Sequence, residues 1–95
     1  MSLWQIILKM SLWGVKRKTP RAYYRNDDFL KAIGEKVREL RQSQGLTQME
    51  LAFKCNDKDY SQINRVELGK VNFSVSYLKL ISEALAVSSK DLLPD

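Results

Sequence analysis

Ninety-five residues with 44% apolar side chains provide for one small domain, and a single cysteine with no histidine argues against a disulfide framework and a soft-ligand metal site. No apolar run reaches the roughly 18 residues of a membrane span, the longest, Leu3 to Val15, being interrupted by Gln5, Lys9, Ser11 and Gly14. The formal charge of +5 suits an anionic partner, but residues 1–27 hold six basic side chains against Asp27 while residues 28–95 hold ten of each sign, so bulk charge defines no function for the larger part.

Residues 1–27 read as an N-terminal arm. Trp4, Ile6, Ile7, Leu8, Leu12 and Trp13 precede the basic stretch Lys16-Arg17-Lys18-Thr19-Pro20-Arg21, with neither helical nor strand periodicity. A secretory signal has its basic residues first, so this order predicts a cytoplasmic protein. Met1-Ser2-Leu3 fits an expression-vector remnant. The segment is expected to be a poorly ordered arm or an oligomer contact, and its basic part either follows DNA, as homeodomain arms do, or stays solvated.

From Asp28 the pattern is helical and predicts an all-α domain of five helices over residues 28–95. Leu30, Ile33, Val37 and Leu40 recur at spacings of three and four on a first helix that ends near Ser43, with Gly45 as its stop. Thr47 and Glu50 form a capping box for a second helix, which turns Leu51 and Ala52 inward. Asn56-Asp57-Lys58 is a polar break. A third helix, Asp59–Leu68, is expected to repeat the capping arrangement with Asp59 and Gln62, to bury Ile63 and Val66, and to stop at Gly69. A fourth follows Ser74 and buries Leu78, Ile81 and Leu85; a short fifth runs from Ser88 to Leu92, stopped by Pro94.

Two short capped helices joined by a polar turn, with Ala52 inside the first and branched aliphatics inside the second, form a helix-turn-helix signature. The outward side of the second carries Tyr60, Ser61, Asn64 and Arg65. An α-helix fits the major groove of B-DNA, where Arg pairs with guanine, Asn with adenine and Ser with several edges. Tyr60 suits a thymine methyl or a phosphate, or simply packs over the turn; Asn64 also suits local backbone bonding, and Arg65 a solvated surface. Cys55 reads as a small core residue.

Four blocks carry a family resemblance over about residues 31–93: Ile33 to Arg41, Gly45 to Ala52, Ser61 to Lys70 and Tyr77 to Leu85. In these the chain resembles the xenobiotic-response-element regulators, whose fold is shared with the lambda-type repressors and Cro. The resemblance implies base reading by Tyr60, Ser61 and Arg65 with Asn64 close by, and a Gln48 that bonds a phosphate and braces the reading helix. It also implies backbone contacts from Lys70, Ser74 and Tyr77, and a structural salt bridge between Arg41 and Glu67. Lys58, in the turn, joins the backbone set. The chain departs from the family in one respect, since Ala52 to Ile63 spans one residue more than usual and Asn56 stands where glycine is common. The leading expectation is therefore a sequence-specific double-stranded DNA-binding regulator, a repressor acting as a homodimer. Alternatives are an antitoxin that represses its own operon while holding a toxin or other small protein, and a protein-interaction domain without DNA contact. No cofactor, no membrane partner and no catalytic constellation is expected.

Overall fold

The computed structural model describes residues 24–94, so the expectations for the apolar and basic segments of the arm lie outside the described residues. Helix α1, Asp27–Ser43, begins one residue earlier than the periodicity placed it, because Asn26 accepts the Phe29 N–H at 3.0 Å and caps it. Asp27 and Asp28 fill its first turn and Arg41 its last, complementing the helix dipole. Helix α2, Gln48–Lys54, carries the expected capping box, with the Glu50 N–H donating to the Thr47 hydroxyl at 3.0 Å and the Thr47 N–H to the Glu50 carboxylate at 2.8 Å. Helix α3 is Ser61–Glu67 and helix α4 is Val75–Ala84, the latter capped by the Ser74 hydroxyl.

Two expectations need correction. The described residues hold four α-helices rather than five, because Ser89–Leu92 closes only a single 3-10 turn. Leu93 is extended there, as the residue before a proline must be, so the backbone has no room to grow another turn. Helix α3 is also shorter than Asp59–Leu68. The Asp59 carboxylate accepts the Ser61 N–H at 2.8 Å, which keeps Asp59 and Tyr60 in the turn, and Tyr60 caps the helix without a side-chain bond. Gln62 takes no part in a capping box and lies beside Arg65 instead.

All four α-helices end in the same way. Gly45, Asn56, Gly69 and Ala86 sit at φ between 59° and 73°, and the next N–H in each case bonds back to the carbonyl five residues earlier (Leu46 to Arg41, Asp57 to Ala52, Lys70 to Arg65, Val87 to Ser82). Asn56 takes the left-handed conformation at the place where the family commonly has glycine, which asparagine tolerates better than most side chains.

One core joins the helices. Ile33 and Val37 of α1, Leu51 and Ala52 of α2, Ile63 and Val66 of α3, and Leu78 and Ile81 of α4 pack with Cys55, Leu85 and Leu92. Gly34 marks the tightest crossing: a Cβ there would fall 2.3 Å from the Val66 carbonyl oxygen and 2.6 Å from that of Glu67. Gly69 similarly lies against the Lys31 backbone. α3 is thus held against α1 along its last turn, which leaves its N-terminal and outer sides for other contacts. Residues 24–26 run extended beside the α3–α4 loop, where Asn72 donates to the Tyr24 carbonyl at 3.0 Å.

Candidate nucleic-acid interface

The site grows from a buried carboxylate. Glu67, at the end of α3, receives two hydrogen bonds from Arg41 of α1, Nε to Oε2 at 2.6 Å and Nη2 to Oε1 at 3.1 Å, and both side chains are almost wholly covered. Arg41 spends its remaining nitrogen on the Leu46 carbonyl at 2.8 Å, in the loop leading to α2. Burial of such a pair is tolerable only when both partners find hydrogen bonds, and here each Arg41 nitrogen and both Glu67 oxygens have one. Gln48, the first residue of α2, adds a third donor: its Nε2 gives one proton to Glu67 Oε1 at 2.9 Å and one to Asn64 Oδ1 at 3.2 Å. Three helices therefore meet at one carboxylate, and the angle of α3 to α1 and α2 is fixed by directional bonds as well as by packing.

On the outer side of α3 and its approach, Tyr60 and Arg65 are exposed, while Ser61, Gln62 and Asn64 are half-buried. Arg65 Nη2 donates to Gln62 Oε1 at 3.3 Å, so these two side chains stand as a pair. Gln62 was not among the residues expected to matter, although its spacing of three from Arg65 puts it on the same side of the helix. Lys58 before α3 and Lys70 after it are both exposed, placing one cation near each end. The Asp59 carboxyl is held below its usual range by the Ser61 N–H and hydroxyl, with Arg65 a lesser influence.

Other expected contact residues spend their polar groups internally. Both side-chain N–H bonds of Gln48 are used within the protein, which places the amide as a brace. The Ser74 hydroxyl caps α4. Tyr77 donates its phenol to the Asp57 carboxylate at 2.6 Å, joining the turn before α3 to the first turn of α4. Burial, then this bond, pushes the Tyr77 phenol well above its ordinary range. Cys55, next to this pair, is buried, and desolvation with the nearby Asp57 charge raises its thiol from 9.0 to about 11. That is an inert core thiol.

Two short helices locked at one crossing, the second presenting Ser61, Asn64 and Arg65 outward with a lysine at either end, define a helix-turn-helix DNA-binding domain. The chain belongs to the helix-turn-helix family of the xenobiotic-response-element type, whose family model matches residues 37–92. Over 62 residues it is 43% identical to control protein C.BamHI of Bacillus amyloliquefaciens, an alignment covering 64% of this chain and 75% of that protein. The restriction-modification controller protein C.AhdI from Aeromonas hydrophila has the same fold, with a TM-score of 0.64 and 34% identity over 67% of this chain and 96% of that one. Wild-type controller protein C.Esp1396I follows, with a TM-score of 0.60 and 30% identity over 66% of this chain and 80% of that one. The protein is a DNA-binding transcriptional regulator, from a family of regulators and not of enzymes.

Proposed function

We propose that this regulator binds a roughly palindromic operator as a homodimer and represses by occluding polymerase, with α3 lying in the major groove. The observation that carries the reading is the mounting of α3. Its polar side is outward, and its last turn is fixed from behind by the Arg41–Glu67–Gln48 bonds. A rigid rod of this kind keeps its side chains at the sub-ångström register that base discrimination needs. Arg65, Ser61, Asn64 and Tyr60 then address base edges, while Lys58 and Lys70 hold phosphates at either end and Gln48 braces from within. Ser74 and Tyr77 bring the first turn of α4 toward the sugar-phosphate backbone, where contacts set register without reading sequence.

Likeness to the control protein C.BamHI and to the restriction-modification controllers supports the genes of a restriction–modification system as the target. The basic arm of residues 1–27 adds phosphate attraction to a domain that is itself neutral. Selection of bound sites from random DNA with the full chain tests the proposal. The expected product is an inverted repeat with half-sites about one helical turn, roughly 34 Å, apart. A pool with no enriched repeat refutes dimeric operator reading.

A further inference from the structure

We infer that the groove between the N-terminal end of α1 and the start of α4 is filled by the chain's own apolar segment, Trp4–Trp13, folded back in cis. The inference goes beyond the proposed function and does not depend on it.

The groove holds about 420 Å3, and its walls include Tyr24, Phe29, Leu30, Phe73, Val75 and Leu93. A space of that size takes a drug-sized molecule or a few large side chains. Among the described residues Tyr24, Phe29, Val75 and Leu93 are left exposed, Val75 by 82%. Apolar side chains gathered in this way mark a surface that something covers. An apolar occupant suits it, because polar groups on the rim serve the fold: Asn72 donates to the Tyr24 carbonyl at 3.0 Å, and the Ser74 hydroxyl caps α4.

The point where the chain enters the domain selects the occupant. Tyr24 is itself a wall of the groove and is fastened there, through its carbonyl by Asn72 and through its neighbour Arg25, which bonds Asp27 at 3.0 Å and reaches the Lys70 carbonyl at 3.5 Å. The segment ahead of it carries Trp4, Ile6, Ile7, Leu8, Leu12 and Trp13 and only one charge, Lys9. Lys16, Arg17, Lys18 and Arg21 all fall in the tether between segment and groove, where their charges stay in water. That tether, residues 14–23, spans at most about 36 Å when extended, ample for a return to a groove at its own root. It also holds the segment at an effective concentration of millimolar order, about a thousandfold above that of a second copy at micromolar concentration. The chain's own segment therefore fills the groove first.

Both tryptophans of the chain, Trp4 and Trp13, lie in the segment, so indole fluorescence of the full chain reports on it alone. The native protein is expected to emit to the blue of free tryptophan and to resist acrylamide quenching, unchanged on dilution. Val75→Asp puts a charge on the groove wall at an exposed position in the first turn of α4, where a carboxylate suits the helix. This variant should emit further to the red and be quenched severalfold more readily while circular dichroism shows the domain folded, and Val75→Leu should keep the native signal. Tyr24→Ser serves in its place if the aspartate variant does not fold. Native tryptophans as open to quencher as the free amino acid overturn the inference, as does a folded Val75→Asp chain with the native signal. Refolding Val75→Asp together with a Trp4→Phe, Trp13→Phe chain, whose groove is intact and whose segment is dark, tests the cis arrangement. No recovery of protected emission is expected; recovery means that the segment crosses to a second copy and overturns filling by the same chain.

Discussion

Replacing Gly34 by alanine sets two effects of opposite sign against each other in the middle of α1. Alanine is the better helix former, and in an exposed helix interior the exchange stabilises by about 1 kcal/mol. Here the new methyl would lie 2.3 Å from the Val66 carbonyl oxygen and 2.6 Å from that of Glu67, where ordinary contact begins at 3.4 Å. Both obstacles are backbone, so no side chain can swing aside, and α3 must retreat from α1 by about 1.1 Å in a core packed at crystal density. Overpacking of this kind costs roughly 1–3 kcal/mol or more, and the displacement also stretches the Arg41–Glu67 bonds. The clash outweighs the propensity gain, and with that gain subtracted a net loss of about 1–2 kcal/mol is expected, which for a domain of this size lowers the melting temperature by roughly 4–8 °C per kcal/mol. Urea denaturation and thermal melting followed by circular dichroism measure it. A Gly34→Ala protein as stable as the native one, or more so, would refute the account of the α1–α3 crossing.

Other expectations follow from the same geometry. Glu67→Ala strands the Arg41 guanidinium in the interior and should cost about 3–5 kcal/mol, enough to leave a domain of this size largely unfolded near 37 °C in a melting scan. Ala86→Gly should raise stability by up to about 1 kcal/mol, since glycine relieves the left-handed strain at φ 59°, whereas Ala86→Val should lower it; urea midpoints separate the two. The Cys55 thiol, raised from 9.0 to about 11 by burial, favours the protonated form in the folded state; its contribution is complete below pH 9 and is lost as the pH climbs toward 11, so urea midpoints should fall across that window and Cys55→Ser should flatten the fall. Arg65→Ala should weaken operator binding by roughly 1–3 kcal/mol and relax one base position, while Lys70→Ala should weaken operator and random DNA alike and lower the salt dependence by about one phosphate contact; titrations at several salt concentrations distinguish them.

The hydrophobic spacing in α1 and α4, the capping box at Thr47 and Glu50, and the stops at Gly45 and Gly69 were legible because each is a local pattern that the backbone obeys directly. The stop at Ala86 was not, because nothing in an alanine announces a left-handed residue; it directly follows the fully buried Leu85. The fifth helix failed for want of length between Ser88 and Pro94. At Asp59 the sequence offered two uses for one carboxylate, a cap three residues on or an Asx turn two residues on, and the shorter loop won. For the site, the outward position of Arg65 followed from helical phase, while Tyr60 is exposed from the turn that precedes the helix. The bracing by Gln48 came from the family resemblance and not from spacing, and the Tyr77–Asp57 bond had no signal at all, since a partner sixteen or twenty residues away leaves no periodic trace. Gln62 suits a capping role by its spacing from Asp59 as well as a place beside Arg65, and Gly34 carries no signal because a glycine inside a helix does not reveal which backbone lies against it.

Placing structural cohesion and the orientation of one outer side chain on the same carboxylate divides α3 into two territories of unequal constraint. The side chains of Ser61, Gln62 and Arg65 take no part in the bonds around Glu67, so substitutions there are expected to leave the crossing of α3 intact. Asn64 is different, because any successor must still accept the Gln48 proton or leave a donor unanswered in a half-covered corner. New specificities are thus expected to arise first at the tip and flank of α3, while the position nearest Glu67 changes only together with Gln48.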